Sequence, residues 1–568
     1  MKRFLFPAAA ALAAVLSLLL VYGHTRGDSL SADEPVHILA AYLQVFARTA
    51  IVNIEHPPLM KELAGLGLMA VPVPKPPASV PLGEAFTSWG HSFLFEGPVS
   101  PDTIAAAARA PFLLVLAALL AVVYAAARSR WGGAAALFTV ALLAFDPNFV
   151  AHAGIVHTDL GAALAFIAAV LAWDAAQRRR TAGRIVFAGV VLGLALATKF
   201  SAVYLGPILL LQGLLALRGA PRPGHEAVRL CGRLAAAAAV ALTVLVVVYA
   251  AAGWRMNPGE QRQVIHEMVA GRGAPRLSHA IEELARICPP LGHYAGGLAS
   301  VFRQNAEGGG VNFLFGRVAI RGFPSYFFVA FLVKSTLAFL AAAAIALGAL
   351  ARQPEARREA ALFLLPPAVL FIASMGASYN IGIRHMLPVY PFLALAAAGA
   401  LSRARGRGFR PAAAALVLLP LLSAGEILRI HPHELSYFNL FAGGPEGGRR
   451  ILSDSNVDWG LDLKRLSAEL RRRGETAPTV VYFGGDDVPF RTGVPDFAAE
   501  PVVRGRLIAI SAFEEAVGPE FYAYHGVPVV SGALERLRRD LAQRGRPVGR
   551  VGYSIHLFQL PPKGTAGP

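Results

Sequence analysis

Residues 4–34 read FLFPAAAALAAVLSLLLVYGHTRGDSLSADE: about twenty apolar residues, a short polar stretch, then Asp33-Glu34. A run of that length is what a helix needs to cross the hydrocarbon core of a bilayer. Lys2 and Arg3 precede it, as in a secretory signal peptide. No A-x-A-like cleavage site follows, so the run reads as an uncleaved first span. An acidic pair just beyond a span is either solvated at the headgroups or held there for chemistry. Glu55-His56, followed by Pro57-Pro58, lies a little further along and raises the same question.

The apolar pattern repeats at about 104–127, 132–151, 155–176, 185–198, 201–217, 234–252, 324–350, 359–377, 385–402 and 411–427. Of 568 residues, 55% are hydrophobic and 16% charged, against roughly 25% charged in soluble domains. That excludes an ordinary soluble protein. The formal charge of +17 could suggest nucleic acid. The arginines instead fall in short loops between apolar runs, as at Arg128 and Arg130, Arg178 to Arg180, and Arg403 to Arg410. This is the mark of membrane orientation. It predicts a polytopic α-helical membrane protein of about eleven spans, N-terminus cytoplasmic and C-terminus extracytoplasmic. Cys231 and Cys288 then fall on opposite sides, so no internal disulfide is expected.

The chain divides into a membrane domain, 1–429, and an extracytoplasmic domain, 430–568. The membrane domain has external loops at about 24–103 and 253–323. Residues 35–49 and 57–71 predict helices lying at the interface. The polar, Gly-rich second loop predicts a mobile segment. In the tail, helical patterns at 462–473 and 532–544 alternate with β-like runs at 479–483, 506–510 and 527–530. Together they predict a small α/β domain. The runs at 185–198 and 201–217 are broken by Thr198-Lys199-Phe200, which predicts two short helices joined by a tight turn.

In this topology Asp33, Glu34, Glu55, His56, Asp159, Lys199, Lys334, Arg384 and His385 all lie at or near external helix ends. A charge inside a span costs about 2.5–3.5 kcal/mol on insertion scales and usually marks function. Lysines near helix ends can also snorkel to the headgroups, which is the plain alternative for Lys199 and Lys334. The basic set suits a phosphate, Arg as a bidentate fork and Lys as a point charge. A nearby carboxylate could take a proton from an attacking hydroxyl or amine. The combination predicts group transfer from a phosphorylated lipid at the external face. A transporter or flippase for a lipid-linked glycan is the alternative, and would place its polar residues near the bilayer midplane on broken helices. The D-x-N-x-D pattern at Asp454, Asn456 and Asp458 begins like a calcium loop, but its glycine comes late and Arg465 stands in place of the closing glutamate.

Four motifs resemble the GT-C superfamily of membrane glycosyltransferases: Ser31-Ala32-Asp33-Glu34, Glu55-His56-Pro57-Pro58, Thr158-Asp159 and Thr198-Lys199-Phe200-Ser201. Within it they are similar to the protein O-mannosyltransferase-like family, which includes the aminoarabinose transferases. Asn380 to Pro388 and Asp454 to Gly460 look like a bacterial subgroup. The resemblance implies a polyprenyl-phosphate-sugar donor, a lipid, glycan or protein acceptor, inversion at the anomeric carbon, and a bacterial inner-membrane location. It implies Asp33 as general base and Asp159 as the family's second acidic motif; Glu34 is grouped with these catalytic carboxylates, either orienting Asp33 or sitting in the headgroups. Lys199, Arg384, His385 and Lys334 are the expected donor-phosphate contacts. Glu55 and His56 are expected to touch the donor or a divalent cation, and metal dependence stays open. His56 departs from the basic residue often found in the family after that glutamate.

Overall fold

The computed structural model describes residues 2–76, 84–217, 222–269, 275–352 and 357–562. Among these, six helices are long and apolar enough to cross a membrane, or up to eight if each of two bent pairs is one span. The six are Leu5–Thr25, Pro101–Trp131, Asp159–Arg178, Phe200–Leu217, Pro223–Ala252 and Arg410–Ile430. The expected eleven therefore resolve less evenly. The run at 132–151 bends by 63° between Gly133–Ala144 and Pro147–Ala153. The run at 324–350 turns by 118° between Tyr326–Lys334 and the helix that begins at Leu337. Ala182–Thr198 and Leu365–Ser374 are shorter apolar helices, and Val389–Gly406 carries arginines in its last turn.

Small residues bring these helices together. Gly189 and Gly193 form a G-x-x-x-G face on Ala182–Thr198. A Cβ at Gly189 would stand 2.7 Å from the Ala237 carbonyl oxygen, and one at Gly193 2.6 Å from that of Ala241. Pro223–Ala252 therefore lies backbone to backbone against this face, as small-residue packing in membranes permits. That contact anchors the helix whose end presents Lys199. The helix stops at Thr198, Lys199 is extended, and a 3₁₀ turn, Phe200–Tyr204, starts the next span.

The first external loop folds into Glu34–Tyr42, a π-helical turn at Leu43–Ala47, and Leu59–Leu68, close to the helices expected at 35–49 and 57–71. The second loop corrects its expectation. It is helical, with Pro258–Val269, Pro275–Ile287 and Pro289–Glu307, then a short hairpin of Asn312–Leu314 with Arg317–Ala319. Each helix opens on a proline, a favourable first helical residue. Ile265, Met268, Ile281 and Ala285 bury one shared apolar face. The sparse apolar positions were hidden by the loop's polar composition.

The tail holds a four-stranded sheet in the order Thr479–Val481, Leu507–Ser511, Ile555–Gln559, Arg546–Val551. The first pair is parallel and the others antiparallel. Helices Leu463–Arg473, Ala512–Tyr524 and Pro528–Arg544 complete it. The run at 527–530 is the start of the last helix, not a strand, because Pro528 sits where a helix begins. The sheet region docks on the first external loop. Ser29 and Ala32 donate backbone hydrogen bonds to Leu461 and Trp459, and Arg465 pairs with Asp28 at 2.8 Å.

Burial pushes the Glu514 carboxyl up to about 8, against a weaker downward pull from the Tyr522 hydroxyl. The folded chain holds that proton more tightly than the unfolded one. Its contribution to stability is thus present below the ordinary glutamate range and is lost as pH rises towards 8. A melting series across that range is expected to fall more steeply for the native chain than for Glu514→Gln. Parallel curves would contradict the assignment.

Candidate active site

Asp33 precedes the first turn of Glu34–Tyr42, and its side chain makes no capping bond to that helix. Its carboxylate points instead at Arg384, with Nη1 donating to Oδ2 at 3.0 Å. The Asp33 side chain is 37% exposed while Arg384 is 8% exposed. The arginine is built in and the carboxylate is reachable. Beneath Asp33 the chain is pinned by Glu34, which is fully buried. Arg109 grips Glu34 with both ends of its fork, Nε to Oε1 at 2.7 Å and Nη2 to Oε2 at 2.6 Å. Backbone N–H groups of Ser31 and Val156 also donate to this carboxylate.

The same Arg384 Nη1 lies 3.7 Å from Asp159 Oδ2. Asp159, 2% exposed, opens the helix Asp159–Arg178, pairs with Lys199, and has His157 Nδ1 at 3.0 Å. His157 in turn faces His152, Nε2 to Nδ1 at 3.2 Å. Trp459 roofs the group: the Arg384 guanidinium carbon sits 4.1 Å over its ring, and its indole borders both histidines. Two carboxylates, Lys199 and Arg384 thus form one continuous array at one end of the bundle.

The segment Asp454 to Trp459 holds this array in place. Asn456 Oδ1 accepts from the Ile383 N–H at 3.0 Å, and Ser455 Oγ donates to the Ile381 carbonyl. Burial pushes the Asp454 carboxyl up to about 7, with Arg384 pulling it back. The D-x-N-x-D pattern is therefore a clamp on the turn that carries Arg384. His157, Trp459 and Arg109 were given no role from sequence. Arg109 carried the clearest signal, since an arginine inside an apolar run must find a buried partner.

The remaining expected residues divide. His385 is partly buried near Phe327, beside Arg384 in the Ile383–Met386 turn. His56 is driven well below the usual histidine range by burial, then by the charges of His37 and Lys61, and its ring lies 4.8 Å from that of His37. Lys61 Nζ donates to the Asn53 and His56 carbonyls, and burial lowers it to about 7 against the pull of Glu55. Among the described residues no group of three or more His, Cys, Asp or Glu is placed to hold a metal ion. With a lysine beside it, the donor set at Glu55 and His56 does not fit a divalent cation.

Lys334 does not join the array. Its Nζ donates to the Leu435 and Asn456 carbonyls, each at 2.7 Å, and lies 4.5 Å over the Phe438 ring. It ties the bent helix to the Asn456 clamp. Lys334→Met would leave two buried carbonyls unpaired, at roughly 1–3 kcal/mol each. We expect a lower melting temperature with unchanged donor affinity. A selective loss of donor affinity at unchanged stability would restore the phosphate role.

Helices of a multi-span membrane protein thus gather acids and cations at one end. Residues 102–254, which carry Asp159 and Lys199, match the model of the dolichyl-phosphate-mannose-protein mannosyltransferase family. The matched segment holds two of the motifs, Thr158-Asp159 and Thr198-Lys199-Phe200-Ser201, and bears out the resemblance to that family there. No curated protein sequence matches the chain. Among solved structures, ArnT from Cupriavidus metallidurans bound to undecaprenyl phosphate is similar, at 15% identity over 98% of this chain and 99% of that one, TM-score 0.44. The Archaeoglobus fulgidus oligosaccharyltransferase in complex with Zn and sulfate is similar at 14% identity over 97% and 73%, TM-score 0.47.

Proposed function

We propose that the chain is a glycosyltransferase of the bacterial inner membrane that moves a sugar from a polyprenyl-phosphate donor to an acceptor at the extracytoplasmic face. The observation that carries this reading is the array Asp33–Arg384–Asp159–Lys199, a reachable carboxylate set against the buried Arg384 and the part-buried Lys199. The family match over residues 102–254 supports it.

The reaction is a single displacement with inversion. The acceptor O–H or N–H attacks the anomeric carbon, and its proton passes to Asp33. Oδ1 serves as base, because Oδ2 is held by Arg384. The bond from the anomeric carbon to the phosphate oxygen breaks, and its electron pair stays on that oxygen. Lys199 and Arg384, already fixed by Asp159, meet the developing charge without reorganising, with His385 alongside. Glu34 keeps Asp33 in place through Arg109. Mass spectrometry of envelope glycans and glycoproteins tests this reading. A strain lacking the chain is expected to lose one discrete sugar modification, restored by the native gene and not by Arg384→Ala. An unchanged envelope profile would contradict it.

A further inference from the structure

The opposite end of the bundle holds a second built site. Asp174 lies fifteen residues beyond Asp159 in Asp159–Arg178, about 22 Å away at 1.5 Å per residue. There a cavity of about 520 Å³ opens between that helix, Leu205–Leu217, Pro223–Ala252 and Arg357–Phe363. Its charge is one-sided. Arg180, Arg233 and Arg358 line it, and Arg130, Arg178 and Arg229 stand behind. Among the described residues two carboxylates line the cavity, and both are paired. Asp174 is held by Arg130 at 2.9 Å and Arg178 at 3.0 Å, with Arg358 at 3.6 Å, and Glu226 by Arg180 at 2.9 Å and Arg229 at 3.1 Å.

The cavity also holds unpaired donors. Trp173 Nε1, Gln177 Nε2 and Arg233 Nε have no hydrogen-bond partner among the described residues, and all three residues line the cavity. Trp173 is 1% exposed. Leu215, Leu217 and Leu230 supply an apolar stretch of the wall, beside Gln212, whose amide donates to the Ala361 and Leu362 carbonyls. Unanswered donors, excess positive charge and a greasy wall match a ligand with acceptor oxygens, negative charge and an alkyl tail. Basic pockets between spanning helices suit lipid headgroups in this way.

We propose that this cavity binds the phosphate headgroup of an anionic membrane phospholipid, its acyl chains lying along Leu215, Leu217 and Leu230. The site is separate from the sugar-transfer array and does not depend on it.

Native mass spectrometry of the purified full chain tests the proposal, with phosphatidylglycerol and phosphatidylcholine added at equal concentration. Phosphatidylglycerol should be retained about tenfold better. Arg233→Gln combined with Arg358→Gln should abolish that preference. Ala361→Phe, which fills the cavity without changing charge, should lower retention of phosphatidylglycerol as well. Equal retention of the two lipids, or unchanged preference in both variants, would overturn the proposal. Displacement of phosphatidylglycerol by inorganic phosphate at equal concentration would overturn the lipid assignment in favour of a free phosphate site.

Discussion

Asp33→Asn is expected to insert and fold like the native chain while sugar transfer falls by about 10²–10⁴-fold, the usual worth of a general base. The expectation rests on two separate features of the site. The amide oxygen of asparagine can still accept the Arg384 hydrogen bond, so the contact that shapes the array survives. The amide cannot accept a proton, so the chemistry does not. Donor affinity should change little, because Lys199 is held by Asp159, and Arg384 keeps both Asp159 at 3.7 Å and the amide oxygen that replaces the Asp33 acceptor. Transfer near the native rate in a well-folded Asp33→Asn protein would remove the aspartate from its role as base.

The second large effect concerns folding. Arg109→Met would leave Glu34 charged, wholly buried and without its fork. Breaking one side of a buried pair costs about 3–5 kcal/mol, because the partner charge remains in a low-dielectric site. The result should be a steep drop in melting temperature and in recoverable protein. Adding Glu34→Gln to Arg109→Met removes the stranded charge and should recover part of that loss. If the double variant were no more stable than the single one, the pair would not be the pin beneath Asp33.

Much of this site was legible because the membrane simplifies the reading. Hydropathy and loop arginines put Asp33, Asp159, Lys199 and Arg384 on one face, and the structure joins those four residues. Lys334 shared the same placement and yet turns away. Its partners are carbonyls of Leu435 and Asn456, more than a hundred residues further on, where the tail folds back beneath the helix. Sequence depth carries no information about such a return. Glu34 was read beside Asp33 as a catalytic acid, but its neighbour Arg109 enters from a different span. Asn456 stood in the calcium-like pattern and both it and Trp459 in the Asp454 to Gly460 motif, and their part in holding Arg384 emerges from packing.

The tail shows the same limit. Its α/β character was readable, while strands Arg546–Val551 and Ile555–Gln559 were missed. RPVGRV carries two arginines and a proline, and IHLFQ breaks its alternation at Leu557-Phe558. Pairing with Leu507–Ser511 supplies what local propensity lacks.

Reconstitution of the full chain in vesicles with a polyprenyl-phosphate sugar, labelled in the sugar, tests the central claim most directly. An envelope extract would serve as the source of acceptor. Free polyprenyl phosphate is expected to be released together with a labelled product of inverted anomeric configuration, both lost in Asp33→Asn. Movement of the intact donor across the bilayer with no cleavage, equal in the native chain and in Asp33→Asn, would contradict it.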